Sequence, residues 1–436
     1  MNSMLPVVAS TLMAGMGVVA AAEVAEAPSS LHWTSSWTAA PQAVWDDGFL
    51  FPSNVPPVLQ DQTVRQVARL SAGGRRLRLL FSNAYGTQPL QLGRVTVALA
   101  GEGDALVPGT TRQVLFAGLP TATLAAGAPL VSDAITLPVA ALARVTVSIH
   151  LPGPAPVQTF HWDGRENSWI VAGDQTSAAV LARDDAADQL TTARLLLSGI
   201  EVDTGAPAHS IAVIGDSITD GATASLNADS RWPDALAERL AVRGVGVING
   251  GISGGRLLSD GMGESVLARL QRDALGQPGV RTVVVMVGIN DIAWPGTAFA
   301  RDHAMPTLAA LQAGYLQLIR QAHRQGIRVI GVTLTPFNGA LPDTPLSDYY
   351  QPQKDALRLA LNDWMRRSDA FDAVIDADLA LRDPRDPSRL LPRFDSGDHL
   401  HPSDAGNRAI AEAVDLDALL RPGIHKGAVS HPSRKD

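Results

Sequence analysis

The apolar run Ile211-Ala212-Val213-Ile214, stopped by Gly215 and followed by Asp216-Ser217-Ile218-Thr219, constrains the fold more than any other stretch of the sequence. A short apolar run bounded by turn residues reads as a strand buried on both faces, which implies a parallel sheet covered by helices. The C-terminal ends of such strands form the rim at which open α/β sheets hold their ligands. Ser217 therefore stands where a nucleophile would stand. A serine hydroxyl must lose its proton as it attacks, so it needs a base, a group that orients the base, and donors for the developing oxyanion.

The expected base lies far downstream, in Asp398-His399-Leu400-His401-Pro402. An aspartate three residues ahead of a histidine can reach back to one ring nitrogen, fixing the tautomer that leaves the other free to take the serine proton. Asp398 is read as the orienting group and His401 as the general base. Two further strand ends suggest the donors: residues 245–249 run into Gly250-Gly251-Ile252-Ser253-Gly254-Gly255, and residues 282–287 run into Gly288-Ile289-Asn290-Asp291. Glycine lets a backbone N–H approach a substrate closely, and a loop asparagine supplies an amide donor. The expected oxyanion donors are the N–H groups of Ser217 and Gly254 and the side chain of Asn290.

Gly215-Asp216-Ser217, Gly254, Gly288-Ile289-Asn290-Asp291 and the Asp398/His401 pair resemble, in order and context, the four motif blocks of the SGNH or GDSL hydrolases, which cleave esters and sometimes thioesters. The resemblance spans residues 206–420. It implies a flavodoxin-like three-layer α/β/α domain with a mostly parallel sheet. It also implies a nucleophile at Ser217, oxyanion donors at Gly254 and Asn290, a base at His401, and no cofactor. Ile218 stands where the family's first block often has leucine, a change from one apolar residue to another.

Two rival readings use the same segments. Gly251-Ile252-Ser253-Gly254-Gly255 matches the nucleophile elbow of α/β-hydrolases, with Ser253 as nucleophile. That arrangement needs a triad acid on a separate strand, whereas here the acid lies beside His401, and Ser217 would have no role. Asp398, His399 and His401 also suggest a zinc site, but a catalytic zinc takes three protein ligands and an activated water and gives Ser217 nothing to do. The expectation is therefore no metal.

Upstream of residue 206 the pattern is different. Residues 63–70, 76–82, 92–98, 112–116 and 144–151 carry β-branched or alternating apolar residues between Gly/Pro/Asn turns, the signature of an all-β, sandwich-like domain over 30–205. Trp33 to Trp37, Phe81 to Gly86 and Ser168-Trp169 look similar to the N-terminal region of secreted two-domain bacterial members of the family. Some relatives with an added β domain act on acylated polysaccharides. His161, between Phe160 and Trp162, reads as a structural histidine. Residues 1–27 read as a secretory signal peptide, with small-x-small cleavage motifs at 20–22 and 25–27, although the first basic residue is Arg65. The expected location is thus extracellular or periplasmic. Residues 421–436 read as a mobile tail.

The chain has 436 residues, a formal net charge of -8 and no cysteine. Without a basic cluster it is not expected to bind nucleic acid, and the glycine-containing leader is a poor permanent membrane anchor. Trp294, Phe337 and Tyr349, on loops beyond strand ends, are candidates to line a substrate pocket. The resulting expectation is a serine ester hydrolase acting on short acyl esters, plausibly acetyl groups, of a small molecule or polysaccharide. The alternatives are a broad-specificity lipase or arylesterase, and a non-catalytic carbohydrate-binding protein, which would have no reason to keep a base near a serine. The pattern sets no oligomeric state.

Overall fold

In the computed structural model, residues 31–46, 48–184 and 188–421 are described; the expected leader and all but the first residue of the expected tail lie outside them. Five parallel strands form the central sheet of the C-terminal part. Their spatial order is Gly246–Gly251, Ser210–Gly215, Val280–Met286, Arg328–Val332 and Ala373–Ile375. Numbered along the chain this is 2-1-3-4-5, the flavodoxin-like doubly wound order, whose switch point lies between the first and third strands. The run Ile211 to Ile214 is fully buried because side chains on both faces meet helices: Ala212 and Ile214 join one apolar cluster, Ile211 and Val213 the other.

The helices Leu308–His323 and Pro352–Arg367 supply Leu311, Tyr315, Leu318, Leu361 and Met365 to the first cluster. Trp232–Ala241 and Asp404–Glu412 supply Trp232, Leu236, Leu240 and Ile410 to the second. After His401 the chain forms two helices, Asp404–Glu412 and Leu416–Leu420. The break between them falls where Asp415 turns its carboxylate onto the N–H groups of Asp417 and Ala418, an N-cap that starts a new helix. A helix at Val266–Leu270, continuing into a π turn over Gln271–Leu275, was not foreseen.

The N-terminal part is antiparallel. One sheet runs Trp33–Thr38, Leu197–Asp203, Gly74–Ser82, with Pro129–Val131 and Ile135–Val139 both pairing to Gly74–Ser82. The other runs Gln189–Thr191, Ser168–Ala172, Gln62–Arg69, Arg144–Leu151, Val95–Leu99, Arg112–Gln113. Leu77, Leu79 and Phe81 alternate inward from the first sheet and meet Val64, Val145, Val147 and Ile149 of the second in one core, which makes the pair a sandwich.

Hydrogen bonds join the sandwich to the α/β part. Ser210 Oγ donates to Ser35 O at 2.8 Å, Val247 N to Ser71 Oγ at 2.9 Å, and Thr38 Oγ1 to Asn249 O at 2.9 Å. The described residues fall in a single compact unit. Among them, no helix is long and apolar enough to cross a membrane.

Candidate active site

Ser217 follows the strand Ser210–Gly215, Gly254 follows Gly246–Gly251, and Asn290 follows Val280–Met286, so adjacent parallel strands deliver all three to one rim. The turn after the first strand requires glycine at 215: a Cβ there would lie 2.3 Å from both Met286 O and Thr219 Oγ1. Asp216 then caps the short helix Ser217–Asp220 by accepting from Ile218 N at 3.1 Å. A buried arginine, foreseen by no sequence pattern, braces the turn from below. Arg269 donates to Gly215 O at 2.9 Å and to Gly250 O at 2.6 Å, tying the ends of the two neighbouring strands.

The histidine arrives on the loop before Asp404–Glu412. His401 Nε2 lies 2.8 Å from Ser217 Oγ, and its Nδ1 lies 2.6 Å from Asp398 Oδ2. The other oxygen of Asp398 accepts from the backbone N–H of Leu400 at 3.0 Å and of His401 at 2.8 Å, which locks the carboxylate against the ring. Burial alone would raise the pKa of Asp398. The bond to His401, its charge and the two N–H groups outweigh that and hold the carboxyl well below its usual range. The order Ser, His, Asp is thus closed by two short bonds.

Residues 213–409 match the model of the GDSL-like lipase/acylhydrolase family. The family is one of carboxylic ester hydrolases. No curated protein compared matches the sequence. Solved structures to which the chain is similar include a GDSL-like lipase from Bacteroides thetaiotaomicron, 16% identical over 48% of this chain and 87% of that one, with a TM-score of 0.35. An acetyl-xylooligosaccharide esterase from Geobacillus is 22% identical over 47% of this chain and 91% of that one, with a TM-score of 0.33. A family two carbohydrate esterase from Cellvibrio japonicus covers more: 89% of this chain and 95% of that one, at 11% identity and a TM-score of 0.36.

Within the matched residues, the side of the site opposite His401 that carries the expected oxyanion donors is built from contacts between loops. Gly254 has φ +70, and a Cβ on it would meet Met262 Sδ at 2.5 Å and Trp294 Cζ2 at 2.9 Å, so both conformation and space demand glycine. Among the described residues, no hydrogen bond of the fold uses the N–H of Ser217 or Gly254. Asn290 Nδ2 donates to Gly255 O at 3.0 Å, which places its amide beside Gly254 and leaves the second amide hydrogen available. Its Oδ1 accepts from the hydroxyl of Tyr349 at 2.7 Å. Burial, then the nearby carboxylates, push the Tyr349 phenol well above its usual range, so it stays a donor and fixes which end of the amide faces the site.

Asp291 ends the Gly288-Ile289-Asn290-Asp291 block. Its two oxygens accept from Leu257 N at 2.7 Å and Leu258 N at 2.9 Å, anchoring the loop that carries Gly254. Truncation of Asn290 to alanine removes one donor and the brace on Gly255. The expected loss in kcat for an activated ester is about 10²-fold to 10³-fold, checked by steady-state kinetics on protein whose far-UV circular dichroism matches wild type.

The three residues proposed to line a pocket are enclosed. Tyr349 is held on Asn290, Phe337 packs edge-on against Tyr349 and Tyr350, and Trp294 lies beneath Gly254 with Arg256 over its face at 4.9 Å; all three side chains are buried. Partly buried aromatic rings lie further out. Trp294 stacks on Phe299 with centroids 4.4 Å apart, and Phe299 contacts Phe49 and Phe51 of the sandwich part, which continue to Trp45 and Trp162. Ser253 is buried and donates to Asp220 Oδ2 at 2.8 Å. His399 pairs with Asp395 at 2.5 Å rather than with His401, and among the described residues no group of three or more His, Asp or Glu side chains is placed to hold a metal ion.

Asp216 has a consequence for stability. Its Oδ2 is buried with no hydrogen-bond partner, and burial is the main cause that pushes the carboxyl up to about 7, against the N–H of Ile218 and the neighbouring His401. In the unfolded chain an aspartate titrates near 4. The folded state therefore binds the proton more tightly, and this contribution is fully present below about pH 4 and is lost as pH rises through about 7. The full swing is on the order of 4 kcal/mol. Asp216→Asn keeps an oxygen for the N-cap but cannot ionise. Its urea midpoint is expected to fall less than that of wild type between pH 5 and pH 8, and a parallel pH dependence in the two proteins would contradict this.

Proposed function

We propose that the chain is a secreted serine ester hydrolase that removes short acyl groups, acetyl foremost, from carbohydrate esters, with Ser217, His401 and Asp398 as its triad. The observation that carries the reading is the 2.8 Å contact between Ser217 Oγ and His401 Nε2, in line with the 2.6 Å bond from Nδ1 to Asp398. His401 takes the hydroxyl proton as Ser217 attacks the ester carbonyl. The oxyanion is met by the N–H groups of Ser217 and Gly254 and by Asn290. His401 then gives its proton to the departing alcohol, and water, deprotonated by the same imidazole, releases the acid from the acyl-enzyme.

Support for a carbohydrate alcohol comes from the aromatic rings of Phe299, Phe49, Phe51 and Trp162, which continue outward from Trp294 beneath the oxyanion glycine. Flat apolar faces suit the C–H face of a sugar ring. An aryl alcohol would suit them too, which keeps an arylesterase as the second reading. The test is release of acid from acetylated xylan, from p-nitrophenyl esters of graded acyl length and from triglycerides. The proposal expects acetyl esters to exceed octanoyl esters in kcat/KM and acetylated xylan to be deacetylated. Faster turnover of long acyl chains with no release from xylan would replace it by the lipase reading. Export is tested by the N-terminal sequence of mature protein from its native host, expected to begin after residue 22 or residue 27.

A further inference from the structure

A second buried cluster of serine, acid and histidine lies behind the oxyanion loop, and the reaction described above does not use it. Asp220 ends the short helix that begins with Ser217. Its Oδ2 accepts from both the backbone N–H and the hydroxyl of Ser253, each at 2.8 Å, and Ser253 immediately precedes Gly254. Its Oδ1 faces His161 Nε2 at 3.0 Å. His161 comes from the sandwich part, on the strand Thr159–His161, and its Nδ1 donates to Ala40 O at 3.1 Å. His161, Asp220 and Ser253 are all nearly inaccessible to solvent, at 4%, 2% and 5% exposure.

We infer that His161 is a positioning residue for ester cleavage: through Asp220 it holds Ser253, and so aims the Gly254 N–H at the oxyanion. The carboxylate of Asp220 is divided between two tasks, one oxygen for the loop and one for the ring. Without the ring, Oδ1 is a buried acceptor with no donor among the described residues, a cost that the side chain relieves only by turning. Turning releases Ser253. The surrounding turn has its own tethers, because Asn249 donates to Thr219 O at 2.8 Å and accepts from Gly251 N at 2.8 Å. Loss of His161 therefore disturbs the aim of one donor rather than the fold. The same strand reaches the loop by a second route: Gln42 accepts from Trp162 N at 3.0 Å and donates to Met262 O at 2.8 Å, and Met262 lies against Gly254. On this account the sandwich part acts on the chemical step from behind the site.

The kinetic consequence rests on the ester-hydrolase reading; the structural one does not. His161→Phe fills the space and removes both bonds, whereas the amide of His161→Gln reaches the position of Nε2 and can donate to Asp220. With p-nitrophenyl acetate and the full chain, His161→Phe is expected to lose about tenfold or more in kcat with KM within about twofold, since one whole oxyanion donor is worth about 10²-fold to 10³-fold. His161→Gln is expected to recover most of that loss. Hydrogen exchange read by mass spectrometry should show faster exchange of the peptide spanning residues 250–258 in His161→Phe than in wild type or His161→Gln. A folded His161→Phe with wild-type kcat and unchanged exchange in that peptide overturns the inference, as does a His161→Gln no better than His161→Phe in both readouts. If the wild type cleaves no ester, the exchange measurement alone decides.

Discussion

Ser217→Ala is expected to lower kcat for p-nitrophenyl acetate by about 10³-fold or more while KM changes little. In the proposed mechanism the mutation deletes the atom that would be acylated but leaves the expected oxyanion donors and His401 in place, so binding survives and the covalent route does not. The comparison that gives this its meaning is Ser253→Ala. Ser253 Oγ donates to Asp220 and, among the described residues, has no histidine within a hydrogen bond, so its loss removes one of the two bonds that Ser253 makes to that carboxylate. Steady-state kinetics on both variants should separate them by at least about 10²-fold. Equal losses would return the nucleophile elbow to consideration.

Asp398→Asn is expected to cost about 10³-fold to 10⁴-fold in kcat with the fold intact. The backbone N–H groups of Leu400 and His401 require an acceptor at the Oδ1 position, so the amide oxygen goes there and the amide nitrogen faces His401 Nδ1. Nδ1 must then accept, which moves the ring proton to Nε2 and leaves nothing to take the proton of Ser217. The pH profile adds a check. Because the bonds from His401 and the backbone hold Asp398 well below the usual carboxylate range, its ionisation should add no acid limb to kcat near pH 4.

Residues at strand ends were legible in the sequence. An apolar strand followed by glycine and a polar residue marks the rim of a parallel sheet, and three such ends bring Ser217, Gly254 and Asn290 to one edge. Asp398 and His401 were legible because they are three residues apart on one loop. The supporting contacts were not. Tyr349 reaches Asn290 across 59 residues, Asp220 reaches Ser253 across 33, and Arg269 reaches Gly215 across 54. Such pairs leave no periodic trace, because each is set by how helices pack over the sheet. Trp294 and Phe337 are aromatic residues beyond strand ends, and such a position does not say whether a ring turns toward solvent or under the loop. His161 shows the same gap: flanked by two aromatic residues it read as structural, and its approach to Asp220 comes from the seating of the sandwich on the sheet.

The central claim is that the hydroxyl at 217 is the group that becomes covalently modified. The most direct measurement is to treat the full chain with diethyl p-nitrophenyl phosphate, which phosphorylates activated serines, and to map the modified peptide by mass spectrometry. One diethylphosphoryl group per chain is expected, on Ser217, and none on the Ser217→Ala variant. Label on Ser253, or p-nitrophenol release with Ser217 unmodified, would contradict it.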